Sequence, residues 1–155
     1  MKSEPNVYRF RVHFDETDPG GVLFFGRLFF HAHRAYENFL RHRGLPLGRV
    51  MKEWKLALPI RKAEAEFFRP LHLDQCVVVE VTPARLGHTA FELDHRFIAE
   101  GTLVAQARTV HVAVGENGRP IPIPTALRRA LTSLNNPASS GCHKKQKSPD
   151  SRLFR

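Results

Sequence analysis

Between Pro19 and Pro46 the chain runs without a proline, and Phe25, Phe29, Ala32, Tyr36, Phe39 and Arg43 recur at steps of three and four. That spacing draws one apolar stripe along a helix. Arg27, Arg34 and Arg41, one heptad apart, mark its far side, and Gly44 stands where a left-handed residue would stop the helix. A helix of about 20 residues is roughly 30 Å long. An apolar stripe of that length can be hidden only by packing on a sheet.

The flanking sequence supplies strands for that sheet. From Val7 to Phe14, Tyr8, Phe10, Val12 and Phe14 alternate with Arg9, Arg11 and His13. After the helix, Leu45 to Lys55 contains Pro46 and Gly48 and reads as a connecting segment with one helical turn, ended by Trp54, a core or interface residue. Period-two patterns follow. In Leu58–Phe68, Ala63, Ala65 and Phe67 face inward against Glu64 and Glu66, and Cys76–Val81 is a β-branched run. Thr89–Ala99 sets Phe91, Leu93, His95 and Phe97 on one side, and Thr102–Val114 does the same with Leu103, Ala105, Ala107, Thr109, His111 and Ala113. Strand, long helix, then four strands on short turns predicts an α+β fold, an antiparallel sheet wrapped around one central helix. Thr125–Leu134 is expected to be a short helix capped by Thr125. Past Asn135, Ser, Lys, Pro and Asn dominate, so a domain over 1–134 and a disordered basic tail over 135–155 are expected.

Charge and cysteine content narrow the function classes. Of the formal +9, five Lys and Arg against Asp150 give the tail +4, which leaves a mild +5 for the folded part. No zinc-finger spacing, RNA-binding aromatic motif or helix-turn-helix is present, so nucleic acid is not the expected partner; a phosphorylated ligand such as coenzyme A suits a mild positive field. No run of 18 apolar residues occurs and Met1–Asn6 is polar, so a cytoplasmic protein without a membrane span is expected. Cys76 and Cys142 lie in a strand and in the tail, an unpromising pair for a disulfide.

Asp18 is open to two readings. It directly precedes the helix, where Thr17 or Asp18 would cap the first backbone N–H groups. The glycines beside it give the position a second use. Gly20 and Gly21 let a ligand approach the backbone, and the N–H groups that open the helix point outward with the positive end of its dipole. A carboxylate beside such donors can attack a carbonyl or activate water against it, as acyl transfer requires. Neither a serine triad nor a metal is then needed; His31 and His33, two apart on a helix, face different ways and cannot share a metal ion.

The run Asp15-Glu16-Thr17-Asp18-Pro19-Gly20-Gly21-Val22, between a strand and a long helix, resembles the start of the hot-dog-fold acyl-CoA thioesterases of the 4-hydroxybenzoyl-CoA thioesterase type. His31–Glu37 and Ala57–His72 resemble the cyanobacterial 1,4-dihydroxy-2-naphthoyl-CoA thioesterases of quinone biosynthesis. The resemblance covers roughly Tyr8 to Pro124. It implies Asp18 as the catalytic carboxylate and the Phe25 N–H as the donor to the thioester carbonyl. Gly21, Val22 and Phe24 are then expected against substrate, with no metal and no cofactor beyond the coenzyme A of the substrate itself. Phe24, Phe25 and Arg27 depart from the Tyr, His and Asn frequent in the family, and so alter the acyl pocket. Phe24, Phe25, Phe29 and Phe68 would then surround a flat acyl ring. A single unit of this fold leaves a sheet edge open, so a homodimer or homotetramer is expected. The rival classes are a hydratase acting on enoyl thioesters, a thioesterase of broader aromatic or fatty acyl range, and a non-catalytic acyl-CoA binding module.

Overall fold

The computed structural model describes residues 6–132. Strand β1 (Val7–Arg11) leads through a short 3-10 turn (Phe14–Glu16) and a loop into helix α1 (Arg27–Arg41). Helix α2 (Leu47–Trp54), the short β2 (Leu56–Ala57), and β3 (Ile60–Phe67), β4 (Cys76–Leu86), β5 (Ala90–Ala99) and β6 (Thr102–Val112) follow, then the short β7 (Val114–Gly115) and α3 (Thr125–Thr132). Five strands form one antiparallel sheet in the order β1-β4-β5-β6-β3, and β2 pairs with β7.

Alternation drives the sheet. Phe91, Leu93, His95, Phe97 and Ala99 of β5 are all buried, while the residues between them are half-exposed. Their buried face receives α1, which packs on β1 and β4 and buries Leu28, His31, Ala32, Ala35, Tyr36, Phe39 and Leu40. The helix ends in a Schellman motif: Gly44 takes φ +74°, its N–H donates to the Arg41 carbonyl, and the Leu45 N–H reaches back to Leu40. The sheet-around-helix architecture is the expected one.

Several local expectations differ. The helix opens at Arg27 and has 15 residues, about 22 Å at 1.5 Å per residue. Neither Thr17 nor Asp18 caps it; the capping position is Gly26, which offers no side chain. The loop in between folds as a turn of its own, because Asp18 and the glycines bond to one another first. Leu45–Lys55 contains a two-turn helix, since Pro46 occupies the position before its first residue, where a missing N–H costs nothing. β1 stops at Arg11, and β4 runs past Val81 through Pro83, with a register shift between Pro83 and Arg85 that absorbs the missing donor. Thr125 is the first residue of α3, not its cap. Trp54 packs against the core, and Cys76 is an exposed free thiol. The junction expected after Leu134, the tail and Cys142 lie outside the described residues.

The β3 strand stands apart from the other four. Ala63, Ala65 and Phe67 pair with Thr109, Ala107 and Ala105 of β6 and share their inward face, yet Ala63 and Ala65 are exposed. α1 does not extend over them. Ile60, Phe24, Phe25 and Phe30 are also exposed, at 43%, 46%, 66% and 58%. These are large apolar side chains for a surface.

Candidate active site

The loop ahead of α1 reverses the chain within four residues. Thr17 bridges Leu23, the Asp18 N–H donates to the Val22 carbonyl at 2.9 Å, and the Gly21 N–H donates to the Asp18 carbonyl at 2.9 Å. Gly21 holds φ +76°, a conformation that side chains beyond glycine resist. The back of the turn is tied to the segment before β4 by Leu23 N–H to the Leu71 carbonyl at 2.7 Å and by a bridge from Val22 to His72.

This turn fixes the Asp18 carboxylate. Its Oδ1 accepts from the Gly20 N–H at 2.8 Å and, more weakly, from the Val22 N–H at 3.4 Å. A Cβ on Gly20 would sit 3.1 Å from that oxygen, so glycine leaves the carboxylate its place. Oδ2 makes no hydrogen bond to the described residues. Asp18 is half-buried.

The next residues lead the chain into the helix terminus. The Phe24 N–H donates to the Glu16 carbonyl at 2.8 Å, which anchors the chain after the turn. Arg27 N–H then bonds to Phe24 and Leu28 N–H to Phe25, forming the first helical turn. The Phe25 and Gly26 N–H groups are left without acceptors among the described residues, at the positive end of the α1 dipole. The Phe24 ring lies 4.6 Å from that of Phe25 and covers Gly26, where a Cβ would meet it at 3.1 Å.

Of the expected site residues, Asp18 keeps one carboxylate oxygen, and Phe25 its N–H, without a hydrogen bond to the described residues. Gly21 is exposed and shapes the turn, and Phe24 offers its exposed ring. The N–H groups of Val22 and Phe24 are already occupied, so neither serves as a carbonyl donor. Phe29 and Phe68 are half-buried.

Sequence reasoning missed the pairing of Glu16 with His31. Nε2 of His31 lies 2.6 Å from Glu16 Oε1, and the second Glu16 oxygen takes the His13 N–H at 2.9 Å. Burial pushes the His31 pKa down against the pull of Glu16, so His31 is a neutral donor at neutral pH. Burial alone would raise the Glu16 pKa, but the His13 N–H and His31 outweigh it and hold the group below its usual range. The Phe10 ring stacks on His31 with centroids 3.5 Å apart. The pair braces the base of the Asp18 turn against α1. The signal in sequence was faint: His31 falls on the buried side of the helix, beside Leu28, Ala32 and Ala35. Along the same flank, Arg9, Arg11, Arg27 and Arg34 face Asp15 and Glu16 across an open groove of about 430 Å³, a net positive field next to the turn.

Among the described residues no three His, Cys, Asp or Glu side chains converge as metal ligands would, and no helix is long and apolar enough to cross a membrane. A five-stranded antiparallel sheet wrapped around one helix, with an aspartate held in a glycine turn ahead of that helix, defines a hot-dog fold. The chain belongs to the thioesterase-like superfamily, whose family model matches residues 12–131. It is 32% identical over 135 residues to the 1,4-dihydroxy-2-naphthoyl-CoA hydrolase of Microcystis aeruginosa, covering 86% of this chain and 98% of the relative. The hydrolase of that name from Thermosynechococcus vestitus is 34% identical over 134 residues, with 85% and 92% covered. Among solved structures, the 1,4-dihydroxy-2-naphthoyl-CoA thioesterase from Synechocystis superposes with a TM-score of 0.78 at 28% identity, over 84% of this chain and 98% of that one. A gentisyl-coenzyme A thioesterase gives 0.75 at 30%, over 81% and 98%.

Proposed function

We propose that this protein hydrolyses 1,4-dihydroxy-2-naphthoyl-CoA to the free acid and coenzyme A, a step of phylloquinone or menaquinone biosynthesis in the cytoplasm. The observation that carries this reading is the Asp18 carboxylate, held by the Gly20 and Val22 N–H groups in the turn that leads to the unoccupied N–H of Phe25. The thioester carbonyl oxygen takes the Phe25 N–H. As the tetrahedral oxyanion forms, that donor and the helix terminus stabilise the growing charge. Asp18 either attacks the carbonyl carbon, giving an anhydride that water opens, or removes a proton from the attacking water. Coenzyme A leaves as the thiolate in both routes, and no metal or further cofactor takes part. The named relatives support the choice of acyl group, since both the naphthoyl and the gentisyl unit are hydroxylated aromatic acids.

The active form is a homodimer, or a tetramer built from it, with β3 as the joining edge. Its inward alanines are bare, and exposed Ile60 at its start adds apolar surface. Charge selects the pairing of two antiparallel copies. A two-fold axis at Ala63 sets Lys62 opposite Glu64 of the partner subunit; an axis at Glu64 would set that glutamate against its own copy, and one at Ala65 would set Glu64 against Glu66. Sedimentation of a fully active monomer would remove this part of the proposal.

The deciding experiment measures release of free coenzyme A from dihydroxynaphthoyl, hydroxybenzoyl, phenylacetyl and medium-chain fatty acyl thioesters, by the wild type and by Asp18→Asn. Preferred turnover of the naphthoyl thioester, lost in the variant, is expected. Broad turnover that still depends on Asp18 would withdraw the quinone assignment and keep the mechanism. No turnover at all would make the protein an acyl-CoA binding module.

A further inference from the structure

Beneath the middle of α1, Thr109 Oγ1 lies 3.1 Å from Nε2 of His95 and 2.9 Å from Nε2 of His111. All three side chains are buried, as is Tyr36, whose ring lies 4.5 Å from that of His111. Phe91 stacks on the other side of His111 at 5.0 Å, so the group is rigid. Nδ1 of each histidine and the Tyr36 hydroxyl have no hydrogen-bond partner among the described residues. The Leu58 carbonyl stands near enough to favour protonation of His111, without meeting hydrogen-bonding geometry to Nδ1. Leaving such atoms unsatisfied disfavours folding by about 1–3 kcal/mol each.

The chemistry of the group follows from the single hydroxyl proton of Thr109. It donates to one imidazole and accepts from the other, so the two rings hold opposite tautomers. One free Nδ1 therefore carries a hydrogen and the other a lone pair. Burial lowers the pKa of His95 to about 3 and that of His111 to about 4, and pushes the Tyr36 phenol up. The cluster is uncharged at neutral pH and presents both donors and an acceptor. That combination suits a neutral hydroxyl, whereas a buried carboxylate would find no cation here to balance its charge.

These side chains border a cavity of about 40 Å³, room for one hydroxyl-sized group. Exposed His33, Ile60 and Ala63 form its mouth, with half-buried Phe29 beside them. Phe29 lies four residues after Phe25, in the first turn of α1. A flat acyl group whose carbonyl rests at the Phe25 N–H, just ahead of α1, would reach the mouth past Phe29.

We propose that this cavity is the inner end of the acyl pocket, where Tyr36 and the His95–Thr109–His111 relay bind a hydroxyl of an aromatic acyl group. The assignment rests on the acyl-CoA reading of the Asp18 site. It makes the cluster the element that separates hydroxylated from plain aromatic acids.

The test compares dissociation constants of 1,4-dihydroxy-2-naphthoyl-CoA and 2-naphthoyl-CoA on Asp18→Asn protein, which leaves the thioester intact. The same pair is then measured with Tyr36→Phe or Thr109→Val added. The Asp18→Asn protein is expected to bind the dihydroxy thioester at least tenfold more tightly, and each added change to cut that ratio roughly threefold to tenfold. Taking the ratio within each variant cancels any general loosening, and Tyr36→Phe alone decides if the threonine variant does not fold. Equal binding of the two thioesters, or a ratio unmoved by either change, overturns the proposal and leaves a buried water as the occupant. Failure of the wild type to release coenzyme A would sink the hydrolase reading alone, because the binding ratio does not depend on turnover.

Discussion

Polar groups meet helix α1 at two places, and they are held there by different means. At its N-terminal end Asp18 is fixed by main-chain N–H groups two and four residues away, in a half-exposed turn. Under its middle, His95, Thr109, His111 and Tyr36 come from β5, β6 and α1 and are fixed by packing and by one another. The turn keeps its polar atoms within reach of water, so changing its chemistry leaves the fold standing. The cluster does not, and its protonation is therefore tied to stability. One place is built to react and the other to recognise.

The largest expected effect falls on the cluster and is a response to acid. His95 and His111 have folded-state pKa values of about 3 and about 4 against an ordinary 6.5. Above pH 6.5 they are neutral in both states and contribute no pH dependence. As pH falls below that value the unfolded chain takes up protons that the folded one refuses, and stability drops until the folded groups titrate. At about 1.4 kcal/mol per unit of depression, each ring contributes several kcal/mol. The two do not simply add, since each ring's neighbours, His33 for both and Asp94 and His111 for His95, share in the shift. Urea midpoints taken from about pH 7 down to about pH 4 should fall steadily. A flat profile would mean that the cluster opens to water, and the contrast with the turn would be lost.

Next in size is Asp18→Asn. The amide keeps the shape but can neither attack nor take a proton, so turnover should fall by on the order of a hundredfold or more. The thermal midpoint should move little, because a neutral oxygen can still accept from Gly20. A variant that melts well below the wild type would make Asp18 a structural residue of the turn, and the two places would then differ only in exposure.

The same contrast explains what could be read from the chain itself. Asp18, Gly20, Gly21 and the helix behind them are close in sequence, and local hydrogen bonding determines their geometry, so the residues alone pointed to the turn. Alternation placed His95 on the apolar side of β5 and Thr109 and His111 on that of β6, which was the visible sign of a buried polar group. What alternation could not give was their meeting, because it depends on the β5–β6 register that sets His95 against Ala107 and Leu93 against Thr109. The early start expected for α1 failed for a related reason. Periodicity marks Phe25 as one of the apolar repeats, but the Asp18 turn and the Phe24–Glu16 bond hold the chain out of the helix until Arg27. The two turns of α2 were hidden by Pro46 and Gly48, which mark the beginning of a helix as readily as a loop.

Two adjacent glycines sharpen the comparison from within the turn. Gly20 is small because of the carboxylate: a Cβ there stands 3.1 Å from Asp18 Oδ1, so Gly20→Ala must shift the reacting group by a few tenths of an ångström. That is expected to lower kcat about tenfold, since reacting groups tolerate little misplacement. Gly21 is glycine because of its backbone: φ is +76° and a Cβ would touch nothing within 4 Å. Gly21→Ala should therefore destabilise by about 1 kcal/mol through strain alone, read as a lower melting temperature, with kcat reduced less than by the neighbouring change. If the order were reversed, with Gly20→Ala harmless to turnover, then Asp18 would not need the position in which its two N–H donors hold it. The free Phe25 and Gly26 N–H groups would then be the only feature of this end of the helix still suited to a thioester carbonyl.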